Sequence, residues 1–513
     1  MKKLLSFGLL LAAFATVKAQ TAPTWSADVA SIVYNKCSNC HHAGAIGPFP
    51  LMSYSDAFVQ AAGIEGSVSD GKMPPWPPDP TYRRYAHERL LETDEKTKIL
   101  DWIAAGAPEG DANTAPVPPV FTDGWAIASP DISIKMPDYF SEAVSSDLYK
   151  CFAIPTGITE DKFIKSIEVI PGNRSVVHHV LIFQDPSGDC LALDAADPNP
   201  GYTNYGGAGS NNAKLVGGWV PGSTTNTLPS GFGIKLKANS ALVLQVHYPA
   251  GTVGTLDSTR VNIKFTDGTN TREVFVAPIL NHIVGMTNGP LNIPANEVRV
   301  FEEEFALPIK ATVFSVSPHM HLIGRNIKAY GVPPTGDTIK LINIRDWNFG
   351  WQGAYQFQYA QPIPEGTIIR GTATYDNTVN NPYNPSNPPQ DVNVGEATTD
   401  EMMITYFSYS YYQPGDENIL MDSTLLTTSI PQQVANKLNV FFYPNPATNN
   451  VFIDIPNDND AYTLTLYNQM GQAVLSSRLQ NDGWFDIATL PAGLYIADVR
   501  NAKGIFTQKL LKY

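Results

Sequence analysis

The pattern of hydrophobic and polar positions changes character along this chain. Between residues 21 and 110, apolar side chains recur at helical spacing, and 27–34, 54–62 and 94–105 each read as a helix. From about 131 to 430 the apolar runs shorten. Stretches such as 176–183, 241–248, 261–265 and 312–316 are rich in Val, Ile, Phe and Tyr and are separated by clusters of Gly, Pro, Asn and Asp. That pattern predicts sandwiches or barrels. About three hundred residues is long for one sandwich, so two are expected, joined near 268–272. A smaller β unit follows over 438–513, with strands at 451–455, 462–467 and 494–499 and turn signals such as Tyr443-Pro444-Asn445-Pro446. The proline-rich stretch 111–130 predicts a semi-rigid linker.

The first residues add a compartment. Met1-Lys2-Lys3 is positive, 4–14 is largely apolar, and Val17-Lys18-Ala19 has cleavage-site spacing. This is read as a signal peptide over 1–19, too short to span a bilayer. No later stretch approaches the ~18–20 unbroken apolar residues of a spanning helix, so no membrane span is expected. Of the 513 residues 43% are hydrophobic and 16% charged, with a formal net charge of −14. Nucleic acid, whose phosphates demand a basic surface, is excluded as a partner. The balance suits an exported acidic protein.

Chemistry first enters with the cysteines, of which there are four. Cys37-Ser38-Asn39-Cys40-His41 is the attachment motif of a covalent c-type haem: two thioethers from Cys37 and Cys40, and His41 as axial iron ligand. The second axial ligand must come from elsewhere. Met73, in Gly71-Lys72-Met73-Pro74-Pro75, sits on a stiff loop and is the best candidate; Met52, His42 and His87 are rivals, and a core methionine is the bland alternative. Cys151 and Cys190 remain. In an oxidising compartment they can form a disulfide; otherwise they are buried thiols.

The chain has nine histidines. Five fall into three short motifs in the β region: Val177-His178-His179-Val180, Leu244-Gln245-Val246-His247-Tyr248 and Ser317-Pro318-His319-Met320-His321. Imidazole is the commonest metal ligand. A His-x-His strand points both rings to one face. Adjacent histidines point to opposite faces, so His178 and His179 share one ion only at a strand end or bulge. Any single histidine is more often an ordinary core or surface residue. Five in apolar strands of a redox protein favour a metal, and a one-electron partner favours copper over zinc. His282 stands alone.

These residues carry resemblances. Residues 25–108 resemble the small cytochromes c, including the closing helix 99–108. Residues 131–430 resemble the copper type II, ascorbate-dependent monooxygenases, the family of peptidylglycine α-hydroxylating and dopamine β-monooxygenases. The match runs in order through Tyr149-Lys150-Cys151, His178-His179, Leu244–Tyr248, His319-Met320-His321-Leu322-Ile323-Gly324 and Asp400-Glu401-Met402. The resemblance implies two jelly-roll-like β-sandwich domains, 131–270 and 271–430, each binding one copper. It implies His178, His179 and His247 at an electron-transfer copper. It implies His319, His321 and Met402 at the catalytic copper where O2 reacts, with Met403 the rival of Met402. Gln245 and Tyr149 match positions near the first copper, and Cys151–Cys190 matches a first-domain disulfide.

The implied reaction is hydroxylation of a C–H bond of a small organic or side-chain substrate. O2 is reduced, and electrons come from an external donor. The haem domain, 20–110, is expected to relay those electrons to the first copper from the end of its tether. Peptide-hydroxylating relatives grip a carboxylate with an Arg, an Asn and a Tyr. Here the positions hold Ser317, Ile404 and Tyr406, so peptides ending in glycine are expected to be poor substrates. The polar aromatic stretch 346–352 is either a substrate-pocket wall or core. Residues 439–513 resemble the sorting domain of type IX secretion through 442–448, 466–471 and 490–495, which implies that machinery as a partner and a secreted or cell-surface product after passage through the periplasm. The expected architecture is thus multidomain and mainly β: a small helical cytochrome c domain, two copper sandwiches and a small C-terminal sandwich. The rival function is haem and copper electron transfer or copper handling without catalysis.

Overall fold

The computed structural model describes residues 22–421, apart from 122–125, 128, 222, 224 and 269, together with 436–437 and most of 440–513. The expected signal peptide, parts of the 111–130 linker and the last three residues of the 466–471 motif lie outside the described residues. The chain is mainly β. It divides into one unit up to residue 423 and a second from 424.

The first unit opens with four short α-helices, α1 (Ala30–Lys36), α2 (Tyr54–Val59), α3 (Ala61–Ser69) and α4 (Thr93–Ala104). Ser53 caps α2 by accepting from Asp56 N at 3.1 Å, and Glu92 and Glu95 form a capping box on α4. Trp25, Val29, Val33, Ile99 and Trp102 form their common core.

Two sandwiches follow. The first uses β1 (Ile132–Lys135), β2 (Leu148–Pro155), β3 (Lys162–Ile170), β4 (His179–Asp185), β5 (Lys214–Trp219), β6 (Phe232–Leu236), β7 (Ala241–Tyr248) and β8 (Arg260–Phe265). One sheet runs β1-β8-β3-β6; the other runs β2-β7-β4-β5, with Tyr202–Thr203 outside β2. The second sandwich uses β9 (Phe275–Asn281), β10 (Val298–Ala306), β11 (Ala311–His319), β12 (Gly324–Val332), β13 (Ile339–Ile344), β14 (Tyr355–Ile363), β15 (Ile368–Asp376) and β16 (Ile404–Tyr411), in sheets β9-β16-β11-β14 and β10-β15-β12-β13. Each has its own core, and Phe232 packs edge-on against Phe314 across them at 4.9 Å.

β7 explains how the first sandwich positions chemistry. All eight of its residues are buried. Leu242, Leu244, Val246 and Tyr248 enter the core between the sheets. Alternation therefore turns Val243, Gln245 and His247 to the opposite face, where Val243 packs with Cys151, Cys190 and Tyr202.

The linker and the disulfide differ from expectation. The helical domain does not hang from a tether. Residues 78–86, between α3 and α4, lie along the second sandwich: Asp79 N donates to Asn343 O (2.8 Å), Ala86 N to Gln356 O (2.9 Å) and Tyr85 Oη to Leu341 O (2.7 Å). Tyr85 is 2% exposed and belongs to that sandwich's core. Asp79 pairs with Arg345 at 2.6 Å, and Arg83 stacks on Phe357 at 3.7 Å. Cys151 and Cys190 are free thiols, not a disulfide. Both are buried in one cluster, but their sulfurs point at the carbonyls of Gly207 (3.7 Å) and Ala208 (3.3 Å).

The second unit has a five-stranded and a three-stranded sheet around Val440, Phe442, Val451, Tyr462 and Val499. Asn445 of the Pro-Asn-Pro turn accepts from Leu511 N (3.0 Å) and donates to Lys509 O (2.6 Å), tying the turn to the last strand.

Candidate metal centres

The β2-β7-β4 register places Tyr149, His247 and His179 side by side. His178 is the residue before β4 begins, and its N–H bonds His247 O at 2.9 Å. Being outside the strand frees it from strict alternation, so both adjacent histidines turn to one face. His178 Nδ1 lies 3.3 Å from His179 Nδ1, which lies 3.4 Å from His247 Nδ1. Ligands about 2.0 Å from one first-row ion take up such a spacing. Burial lowers His178 to about 3 and holds His179 well below its ordinary value, so both stay neutral, the form that binds metal. Tyr149 stacks flat on His247 at 4.3 Å. His247 Nε2 lies 3.3 Å from Asp147 Oδ2 and is otherwise unpartnered among the described residues. A carboxylate behind a ligating imidazole fixes its tautomer.

The second cluster lies where β11 ends and β16 begins. His319 closes β11, and His321 sits in the turn beyond it, the rings 5.0 Å apart at 81°. Here the Nδ1 atoms point outward: His319 to Gln352 Oε1 (2.5 Å), His321 to Asp400 O (3.0 Å). That leaves both Nε2 atoms for a ligand. Burial lowers His319 to about 4 and His321 to about 3. Met402 comes two residues before β16 and is buried outside the sandwich's core cluster, whereas its rival Met403 is inside that cluster. The buried Glu401 carboxylate accepts from His321 N and Ile323 N (both 2.8 Å) and Met402 N (3.2 Å), binding the histidine turn to the methionine.

One ring separates the clusters. Phe349 stacks on His178 at 4.7 Å and meets His321 edge-on at 5.8 Å. Of the stretch 346–352, Trp347 is core and donates Nε1–H to His321 O (3.1 Å), while Phe349 and Gln352 touch the histidine clusters. Sequence reasoning treated His282 as isolated. It is buried, its Nδ1 accepts from Met403 N at 3.1 Å, and its charge would oppose protonation of His319. Asp147 and Thr398 were missed as well. A signal existed only for Asp147, two residues before Tyr149.

The haem motif follows α1. His41 Nδ1 bonds Phe49 O at 3.0 Å, leaving Nε2 free, as an axial ligand requires. A side chain at Gly47 would meet His41 Nδ1 at 2.7 Å, so glycine makes room for that ring. Burial pushes Cys37 up to about 12. Burial also raises Cys40, and the charges of Arg89 and Arg174 oppose that. Trp76 Nε1 is buried without a partner among the described residues, with the Arg89 guanidinium 5.6 Å from its ring. Met73 N–H is held by Ser67 O at 3.1 Å. Among the described residues, no hydrogen bond or ring contact joins Met73 or Met52 to His41. His42 stacks on Phe121 at 3.9 Å.

Comparison with known proteins adds two family matches. Residues 300–434 match the model of the copper type II ascorbate-dependent monooxygenase, C-terminal domain. Residues 441–513 match the secretion system C-terminal sorting domain. No curated protein matches. Solved structures with partial likeness include a beta-glucuronidase from an uncultured Clostridium (10% identity, 42% of this chain and 35% of that one, TM-score 0.13). The beta-glucuronidase of Lactobacillus rhamnosus is similar (9%, 43% and 36%, TM-score 0.12). PNGF-II has 12% identity over 55% of this chain and 66% of its own, with TM-score 0.24. This chain spans about a third of the first two, and scores this low carry no argument. The sorting domain marks an exported protein, at the cell surface or secreted, and no described helix is long and apolar enough to cross a membrane.

Proposed function

We propose that this is a secreted copper monooxygenase that hydroxylates a C–H bond of an organic substrate with O2, with a covalent c-type haem in the same chain. The observation that carries this reading is the pairing of two unlike histidine clusters across Phe349, the second within the segment matching the copper monooxygenase model. His178, His179 and His247 would hold one copper through Nδ1. His319 and His321, through Nε2, and Met402 would hold the other. Soft sulfur beside imidazole suits copper. When bound, the coppers supply one-electron chemistry and the activation of O2.

The chain's own residues do the positioning. Gln352 and the Asp400 carbonyl each accept an Nδ1 proton, fixing the tautomers of His319 and His321. Tyr149 and Phe349 shield the first cluster from water. Cys37, Cys40 and His41 would hold the haem, with Met73 as second axial ligand, and the haem supplies an electron carrier beside the sandwiches. The charge of Arg174, four residues before His178, acts on Cys40, which supports a haem on the side of the first cluster.

The substrate is bounded by charge. Ser317 pairs with Tyr406 where the peptide-hydroxylating relatives carry an arginine. The Glu396 carboxyl, raised by burial and by Asp400, acts on Tyr406. No arginine stands at that position to pair with a substrate carboxylate, so peptides ending in glycine are expected to be poor substrates. The test is a screen of small organic substrates under 18O2 with an external reductant. Label in a hydroxylated product supports the reading. Oxygen uptake without labelled product, across a screen in which both coppers are loaded, favours electron transfer or copper handling instead.

A further inference from the structure

One short segment of the second sandwich touches both metal sites. Residues 394–401 form a closed loop: Gly395 N donates to Glu401 O (3.1 Å) and Ala397 N to Asp400 Oδ2 (3.2 Å). The loop is drawn in tightly at Gly395, where a Cβ would sit 2.1 Å from Asp400 Oδ2. At its far end Asp400 O holds the His321 ring, Glu401 holds the His321 backbone, and Met402 follows. At its near end it crosses to the first sandwich. Glu396 O accepts from Tyr149 Oη at 3.0 Å, and Tyr149 is the ring stacked on His247. Thr398 Oγ1 donates to Asp147 Oδ2, the same oxygen that faces His247 Nε2. Asp147 is otherwise anchored by Ala250 N (3.0 Å), within its own sandwich.

His247 is thus oriented from two sides, by a ring and a carboxylate, and both are tied to a loop whose other end carries the second site. Ordering either end orders the loop, so a ligand bound at one site lowers the cost of ordering the other. We propose that residues 394–402 couple the two sites, with Asp147 and Thr398 as positioning residues, so that copper binding at each strengthens copper binding at the other. This rests on the copper reading above. The coupling is reciprocal by thermodynamic necessity.

The test needs no turnover. The full chain is loaded with copper, and the first site's Cu(II) EPR signal is followed in a chelator titration for the wild type, Thr398→Val and Thr398→Ser. Thr398→Val lies in the other sandwich and touches no proposed ligand. It is expected to weaken the first site about tenfold, the scale of a lost outer-shell contact, and to shift its EPR signal. Thr398→Ser keeps the hydroxyl and is expected to restore both. In a His321→Ala background, the effect of Thr398→Val is expected to shrink, because the loop has already lost its far anchor. Wild-type first-site affinity in Thr398→Val, or equal weakening in Thr398→Ser, would overturn the coupling alone. A folded wild type with no first-site copper would overturn the copper reading with it.

Discussion

The two histidine clusters use the same side chain in opposite ways. In the first, the Nδ1 atoms of three imidazoles turn inward to within 3.3–3.4 Å of one another along a chain. In the second, two Nδ1 atoms turn outward onto Gln352 and the Asp400 carbonyl. The cause is local. His178 and His179 sit at the start of a strand beside His247, with no acceptor other than each other and His247 at their Nδ1 atoms among the described residues. His319 ends a strand and His321 follows it, each facing an acceptor from a different segment, Gln352 Oε1 and Asp400 O. The first arrangement offers three like nitrogens in a buried nest; the second offers two nitrogens, with Met402 tied to the histidine turn through Glu401. A site that only changes oxidation state gains from the former. A site that must admit O2 needs the latter.

The sharpest way to break this comparison is to delete one ligand from each side. His321→Ala is expected to remove one copper and to lower hydroxylation by about a thousandfold or more, the several kcal/mol that a metal centre contributes. His247→Ala is expected to remove the other copper and leave the His319/Met402 copper in place, seen as a changed EPR spectrum rather than none. Equal copper content in both variants and the wild type would erase the distinction.

A fold-level control comes next. Glu303, in the second sandwich, is 1% exposed, and neither carboxylate oxygen has a partner among the described residues. Burial raises it from 4.5 to about 8. A raised carboxyl binds a proton in the folded state that the unfolded chain has released, so its cost is absent below about pH 4.5 and grows until about pH 8. Glu303→Gln is therefore expected to stabilise the chain by up to about 3 kcal/mol at pH 7, with no gain at pH 4, read from denaturant melts. Copper content should not change. A gain independent of pH would contradict the assignment.

The smallest expected effect lies behind His319. Gln352→Leu keeps the ligand and removes only its acceptor. Second-site copper affinity is expected to fall 10- to 100-fold, as for other outer-shell losses, with a smaller fall at the first site carried by the 394–402 loop. An equal fall at both sites would mean that the clusters are not independently built at this point.

Much of this site is legible in the chain. His247 is visible because it interrupts an apolar run, and alternation then dictates its face. The His178-His179 pair is visible, but its convergence is not, because it depends on β4 starting one residue later. What hides from the sequence is contact at long range. Tyr85 is buried against Leu341, 256 residues away, and nothing in its proline-rich surroundings marks it as core. Asp147 and Thr398 meet across 251 residues. Cys151 and Cys190 do come together in one cluster, yet pairing by compartment did not anticipate that each sulfur would face a carbonyl.

The central claim is that one chain carries two unlike copper sites and a haem. Metal and haem analysis of the purified, folded protein after copper loading tests it most directly. Two coppers and one covalently bound haem per chain are predicted. A folded chain that retains fewer than two coppers, or releases its haem into acidified organic solvent, would contradict it.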